Sequence, residues 1–276
     1  MRVPKANAPP GAGVEIAGTS GQVEAAKAKL RMLVEEALGS PQLPYTHFVG
    51  FPLNHPHVQE AFERFRESVL RLSPSQRPGL DESVFWDARQ LHLTVCMLKL
   101  YSDEARAKAR RVLEEFQFAA FLPASGPLRV RPAGLAGGSH SPPPPSGGCG
   151  PLDVMNDDPA AADVLFLKVK DVGEEGALQR LADALVRAFA AGGLLLAKDD
   201  RPVKLHLTVL NSRIRRADPG QGGGGRRTPF DARTVLKKLG STSFGECDLG
   251  AVHLSTRGAF REEDHYYRPL VACEMR

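Results

Sequence analysis

Cysteine is scarce in this sequence. The 276 residues include 4 cysteines, and none of them forms a Cys-x-x-Cys pair. Closely spaced cysteines are typical of structural zinc sites and of small disulfide frameworks. The spacing here indicates neither kind of site, and it favours reduced thiols in an intracellular protein.

The sequence also lacks long apolar runs and a strong excess of one charge. No stretch reaches the roughly 18 apolar residues that cross a bilayer, and the first residues lack the apolar segment of a signal peptide. With 36 basic and 32 acidic residues, the net charge of +4 gives only a mild preference for anionic partners. Because 42% of the residues are hydrophobic, we expect a soluble protein with a true core.

The N-terminal 40 residues are too few to form a domain of their own. Residues 13–18 are predicted to form a short strand, and apolar residues recur at helical spacing over residues 22–38. One strand and one helix cannot bury a core, so we expect this segment to be part of a larger module.

Two stretches have the composition of loops. Residues 133–151 are rich in glycine and proline, and residues 217–229 are rich in glycine and arginine. We expect the first to be a flexible insertion between two lobes and the second to be a surface loop.

The rest of the chain repeats one order of elements. A strand at Tyr45–Leu53, a helix and a strand at Gln90–Leu100 precede the insertion. A strand at Asp163–Lys170, a helix and a strand at Val203–Asn211 follow it. This repetition indicates an internal duplication.

The last strand of each half contains the same pentapeptide, Leu-His-Leu-Thr-Val, at residues 91–95 and 205–209. Side chains alternate between the two faces of a strand, so the three aliphatic residues of each copy point toward a core. The opposite face then presents one imidazole and one hydroxyl from each copy: His92, Thr94, His206 and Thr208.

Two histidines paired with two threonines suit the cleavage of a phosphodiester. One imidazole can accept a proton from the attacking oxygen while the other donates a proton to the leaving oxygen. The hydroxyls can donate hydrogen bonds to the phosphate oxygens, and no metal or cofactor is required. A single His-x-Thr would more often be structural, but core packing does not explain why both residues recur on the outer face. The residues alone leave open which histidine is the base.

Three more residues are candidates for substrate binding. Lys204 shares a face with the second histidine, Asn211 ends the same strand, and Asn156 lies in an acidic turn before the second half. Each also has a plain structural interpretation, as a solvated strand residue or as part of a turn. His47, on the first strand, is predicted to be structural.

The paired His-x-Thr signature resembles the 2H phosphoesterase superfamily. Around it, Tyr45-Thr46-His47-Phe48, residues 155–159 and Lys204 to Asn211 are similar to the members found in a cointegrator complex subunit and in A-kinase anchoring proteins. The resemblance covers about residues 43–276. It implies an α+β, bilobal fold, in which two antiparallel-rich sheets face each other across a cleft with helices outside. It also implies a metal-independent phosphodiesterase acting on RNA or on nucleotide 2′,3′-cyclic phosphate ends.

The resemblance extends to the first 40 residues, which are similar to the closing half of a KH domain. The Gly-x-x-Gly loop that binds nucleotides in such domains is absent, so we expect Met1 to lie downstream of it. The same likeness implies a nuclear protein in a helicase-containing complex for transcription coactivation and alkylation repair, and no membrane partner. The alternative function is a non-catalytic scaffold subunit that binds RNA or a nucleotide.

Overall fold

The chain divides into two units, residues 1–44 and residues 45–276. The computed structural model describes residues 13–124, 126–132, 152–154, 158–196, 199, 202–215 and 228–275. The predicted insertion at 133–151, most of the predicted loop at 217–229, and Asn156 lie outside the described residues.

The first unit contains one helix, α1, at Ser20–Gly39. Thr19 precedes it, and the Gln22 side chain accepts a hydrogen bond from the Thr19 backbone N–H at 3.0 Å. This contact satisfies one of the donors that a helix N-terminus leaves free. The predicted helix is therefore confirmed. The predicted strand at 13–18 is wrong, because residues 13–19 form no strand and only Glu15 makes an isolated bridge.

The second unit is α+β, as predicted. Its described strands are β1 His47–Pro52, β2 His92–Leu98, β3 Arg129–Pro132, β4 Leu152–Val154, β5 Val164–Val172, β6 His206–Asn211, β7 Cys247–Asp248, β8 Ala251–Phe260 and β9 Tyr267–Glu274. Its described helices are α2 Pro56–Leu70, α3 Asp103–Glu114, α4 Ala177–Ala191 and α5 Arg233–Leu239. The strands pair in the order β7-β3-β5-β6-β2-β1-β8-β9, with β4 also paired to β5, and every ladder is antiparallel.

The two halves follow the same order, β1-α2-β2 and β5-α4-β6. They meet where β2 pairs with β6 through Leu93 and Leu207. This pairing joins the strands of both halves edge to edge in one continuous path. The expected two sheets facing each other are therefore linked, because the last strand of each half hydrogen-bonds to its counterpart.

A single large core lies on one face of these strands. The aliphatic residues of both pentapeptides are buried in it, except that Leu205 is only partly buried against it. The helices contribute Phe62 from α2, Leu113 from α3 and Leu185 from α4, each fully buried. Alternation along β2 and β6 then leaves the histidines and threonines on the opposite face.

Candidate active site

The pairing of β2 with β6 brings the two pentapeptides together at their central residues. Leu93 lies opposite Leu207 in an antiparallel register. Continued by one residue in each direction, that register places His92 opposite Thr208 and Thr94 opposite His206. The two histidines are then diagonal neighbours, for which a separation of about 7–8 Å is typical. A phosphate group fits between side chains at that spacing.

The orientation of His92 is fixed by a backbone carbonyl. Its Nδ1 lies 2.7 Å from the carbonyl oxygen of Gln90. A carbonyl can only accept a hydrogen bond, so Nδ1 carries the proton and Nε2 of the neutral ring has the free lone pair. The indole Nε1 of Trp86 donates to the same oxygen at 3.3 Å.

The orientation of His206 is fixed in the same way. Its Nδ1 lies 2.5 Å from the carbonyl oxygen of Lys204, two residues earlier, as Gln90 is two residues before His92. In each repeat, the backbone carbonyl two residues before the histidine therefore fixes the tautomer of the imidazole. In the neutral form, each imidazole is left with Nε2 as the nitrogen that can accept a proton.

An aromatic cluster surrounds His92. Its ring centroid lies 4.8 Å from that of Phe48, 5.1 Å from that of Tyr267 and 6.2 Å from that of Trp86. The Tyr267 ring meets the imidazole edge to face. These rings pack against His92 and restrict the rotation of its side chain.

His206 has a different environment. Its ring lies 5.4 Å from the ring of Phe166, which is paired with Thr208 across β5 and β6. The ammonium of Lys204 lies 4.4 Å from the centroid of the same phenylalanine ring. A positive charge therefore lies close to the second histidine.

Burial lowers the pKa of both histidines. Loss of hydration lowers the pKa of His92 to about 4, against an opposing effect from its hydrogen bond to Gln90, and proximity to His206 lowers it further. Loss of hydration also lowers the pKa of His206, and the charge of Lys204 acts in the same direction. A lowered pKa favours the neutral form of each ring in the free protein.

A cleft of about 600 Å³ opens beside the second histidine. Its described lining is Tyr45, Thr94, Val95, Cys96, Met97, Asp199, Pro202, Val203, Lys204 and His206. Thr94 from the first half and His206 from the second therefore share one cavity. Among the described residues, no group of three or more His, Cys, Asp or Glu side chains could hold a metal ion.

A larger groove, about 990 Å³, runs along α2, but neither histidine lines it. Its walls mix glutamates with arginines, some of them already paired, such as Arg66 with Glu63 at 3.2 Å. The cleft beside His206 has the chemistry for a phosphodiester, although it is the smaller of the two cavities.

The other candidate residues fall in different places. Lys204 lines the cleft. Asn211 lies at the far end of β6, where its side chain accepts a hydrogen bond from the Arg213 backbone N–H at 2.9 Å, as in a helix cap. His47 is buried, with Nδ1 2.9 Å from the hydroxyl oxygen of Thr46. Asn156 lies outside the described residues.

Several residues beside the histidines were not predicted as site residues from the sequence. Tyr45 and Asp199 line the cleft from segments outside the strands of the motif. Trp86, Phe166 and Tyr267 contact the histidines from positions outside the two pentapeptides. Only the tertiary fold, which is not encoded in a local pattern, brings these residues to the motif.

A comparison with models of known protein families gives a match over residues 45–275. The model of the AKAP7 2′5′ RNA ligase-like domain matches these residues. This chain belongs to that family. The predicted resemblance to 2H phosphoesterases is confirmed by this AKAP7-like match, which begins after the predicted KH-like segment, so the KH interpretation stays a prediction.

A curated relative of this AKAP7-like domain is the mouse (Mus musculus) protein named Activating signal cointegrator 1 complex subunit 1. It is 34% identical over 228 residues, which cover 78% of this chain and 58% of the mouse protein. The chain therefore spans less than two thirds of that relative. No described helix is long and apolar enough to cross a membrane.

Solved structures similar to the chain include two bacterial proteins. E. coli LigT complexed with NADP+ is 15% identical with a TM-score of 0.47, and the match covers 84% of this chain and 98% of LigT. The protein TT0787 of Thermus thermophilus is 19% identical with a TM-score of 0.46, and the match covers 83% of this chain and 97% of that protein.

Proposed function

We propose that the domain is a phosphodiesterase that hydrolyses 2′,3′-cyclic phosphates of RNA ends or nucleotides through His92 and His206. The observation that carries this proposal is the pairing of Leu93 with Leu207. Continued by one residue on each side, this antiparallel register sets each histidine opposite the threonine of the other repeat. Membership of the AKAP7-like 2H family supports the same class of reaction.

The chemistry needs one proton acceptor and one proton donor. The oxygen of a water molecule attacks phosphorus while the Nε2 atom of one histidine takes the water proton. The bond from phosphorus to a ribose oxygen breaks, and the second histidine donates a proton to that oxygen. The negative charge of a bound phosphate raises the pKa of a neighbouring imidazole, so one of the two rings can hold this proton in the complex.

The remaining candidates support substrate binding. Thr94 and Thr208 donate hydrogen bonds to the phosphate oxygens, and Lys204 contributes a positive charge from the wall of the cleft. Asn211 serves as a cap in the free protein, and a substrate contact would require its side chain to leave Arg213. The proposal gives Asn156 a contact with the substrate as well.

The mouse relative's name supports a proposal about partners. It describes a subunit of the activating signal cointegrator 1 complex. We propose that this chain is a nuclear subunit of an equivalent complex that contains a helicase and acts in coactivation and alkylation repair. The second candidate function is a non-catalytic scaffold that binds RNA or a nucleotide in the same cleft. The cavity lined by Thr94 and His206 supports this binding function as well as catalysis.

Turnover of short RNAs with 2′,3′-cyclic phosphate ends tests the proposal. His92→Ala and His206→Ala should each lower the rate by about a hundredfold to ten-thousandfold, because each removes a proton-transfer group. His57→Ala, an exposed histidine on α2, serves as the control and should keep the wild-type rate.

Two results would overturn the proposed catalysis. Turnover that survives in a variant with both His92→Ala and His206→Ala would show that the histidines are not the acid and base. Binding of the RNA by the wild-type protein without any turnover would establish the scaffold function in place of catalysis.

A further inference from the structure

The cleft beside His206 contains a carboxylate, which is unexpected in a site for an anionic phosphate. Asp199 lines the cleft together with the histidine, and its Oδ2 accepts a hydrogen bond from the Tyr45 hydroxyl at 2.6 Å. The charge of Asp199 also raises the pKa of the Cys96 thiol, after the larger effect of burial. The carboxylate therefore lies close to β2, the strand that also contributes Thr94.

The position of this carboxylate is held by a fixed partner. Tyr45 donates to it, and the backbone carbonyl of Tyr45 accepts a hydrogen bond from Arg257 at 3.5 Å. The ammonium of Lys99 lies 5.5 Å from the centroid of the Tyr45 ring. A hydrogen bond from a rigid partner orients an acceptor before a ligand arrives, which is a requirement for selective recognition.

Charge divides the lining of the cleft into two parts. The ammonium of Lys204 attracts a phosphate and the Thr94 hydroxyl can donate a hydrogen bond to it, whereas Asp199 repels one. A terminal nucleotide with its phosphate at the histidines would extend its nucleoside toward the carboxylate. The cavity of about 600 Å³ is within the range typical of small-ligand sites.

An ionised carboxylate only accepts hydrogen bonds, so it selects among the bases by their donors. Adenine, cytosine and guanine each present an exocyclic amine. Uracil presents two carbonyl oxygens, one on each side of its single ring N–H, and these oxygens would be repelled by the carboxylate. The carboxylate therefore favours the three bases that carry an amine.

We infer that Asp199, oriented by Tyr45, forms a base-recognition site that selects terminal nucleotides with an exocyclic amine over uridine. This inference rests on the proposed function, because it takes the histidines as the place of the phosphate. It adds a preference that the two histidines and two threonines cannot provide by themselves.

Hydrolysis of the four nucleoside 2′,3′-cyclic monophosphates tests the inference. The wild-type protein should show a kcat/KM at least about tenfold higher for the adenine, cytosine and guanine compounds than for the uracil compound, the lower bound for one hydrogen bond to a charged group. Asp199→Asn should reduce this preference to about threefold or less, because an amide can donate to a uracil carbonyl. Asp103→Asn, an exposed aspartate on α3, should leave the preference unchanged.

Calorimetric binding of the four nucleoside 2′-monophosphates separates this inference from the proposed function. Preferential binding of the amine-bearing nucleotides without any turnover would support the inference and overturn the catalysis. Equal turnover and equal binding of all four by the wild-type protein would overturn the inference alone.

A uniform loss for all four nucleotides in both Asp199→Asn and Tyr45→Phe would also overturn the inference. Such a loss would show that Asp199 and Tyr45 only maintain the structure of the cleft wall. Absence of both binding and turnover in the wild-type protein would overturn the inference together with the proposed function.

Discussion

Leu93 and Leu207, the central residues of the two pentapeptides, lie directly opposite each other on β2 and β6. The pairing is symmetric, because each half contributes the central leucine of its own pentapeptide. It explains how two motifs more than 100 residues apart form one site. The candidate site depends on this register, because a shift of one residue would turn the motif histidine of one strand to the core face.

Gly50 permits the close approach of β1 to β2. A Cβ atom at this position would lie 2.6 Å from the carbonyl oxygen of Leu93. Gly50→Ala should lower the free energy of unfolding by about 1–3 kcal/mol, since the backbone must shift to remove the overlap. Urea denaturation measures the change. Gly250→Ala, where a Cβ meets nothing within 4 Å, is the control, and an equal loss there would contradict the account.

The two threonines should act through their hydroxyl groups. Thr94→Val and Thr208→Val keep the shape and the strand preference of the side chain but remove the donor. Each should lower kcat by about a hundredfold, comparable with the loss of one donor to a developing oxyanion. Thr94→Ser should restore most of the rate. Thermal unfolding of the same variants checks that they are folded. A wild-type kcat in folded valine variants would rule out a catalytic role for the hydroxyl groups.

Stability should fall as the pH falls below neutrality. Burial lowers the pKa of His92 and of His253 to about 4, from 6.5 in an unfolded chain. Between these values the unfolded chain binds protons that the folded protein excludes, so stability is complete above pH 6.5 and is lost toward pH 4. When the pH is lowered from 7.5 to 5.0, each of the two histidines should lower the free energy of unfolding by up to about 2 kcal/mol.

Denaturant unfolding of His253→Gln at the same two pH values checks this effect. The variant lacks one of the buried imidazoles, so its stability should change less with pH than that of the wild-type protein. An identical pH dependence in both proteins would show that His253 does not contribute.

Lys204 should affect both the substrate and its neighbouring histidine. Burial is the main cause of the lowered pKa of His206, and the charge of Lys204 lowers it further. Lys204→Met should therefore raise the pKa of His206, as measured by NMR titration of the imidazole, and should raise KM for a cyclic phosphate. A His206 pKa that falls or stays constant would show that the ammonium does not act on this ring.

The elements with strong periodicity were predictable from the sequence. The helices α2 and α4 and the strands β1, β2, β5 and β6 were all expected, and the ends of the strands differ from the prediction by a few residues. The short strands β3 and β4 were missed, because three or four residues contain too little alternation to be recognised. The strand expected at 13–18 did not form, since a strand is stable only when it has a partner.

The candidate site was predictable only where residues repeat. The two copies of the pentapeptide are enough to propose both histidines and both threonines as site residues from the sequence alone. Asp199 and Tyr45 belong to no repeat, and they lie 154 positions apart in the chain. Such a contact between residues distant in the chain is not predicted by any local pattern.

The most direct measurement is a crystal structure of the protein with a bound nucleoside 2′-monophosphate. We predict that the phosphate lies between the two repeats, with one of its oxygens about 3 Å from Nε2 of His92 and another about 3 Å from Nε2 of His206. A phosphate bound by only one of these histidines, or bound elsewhere on the protein, would contradict the shared site.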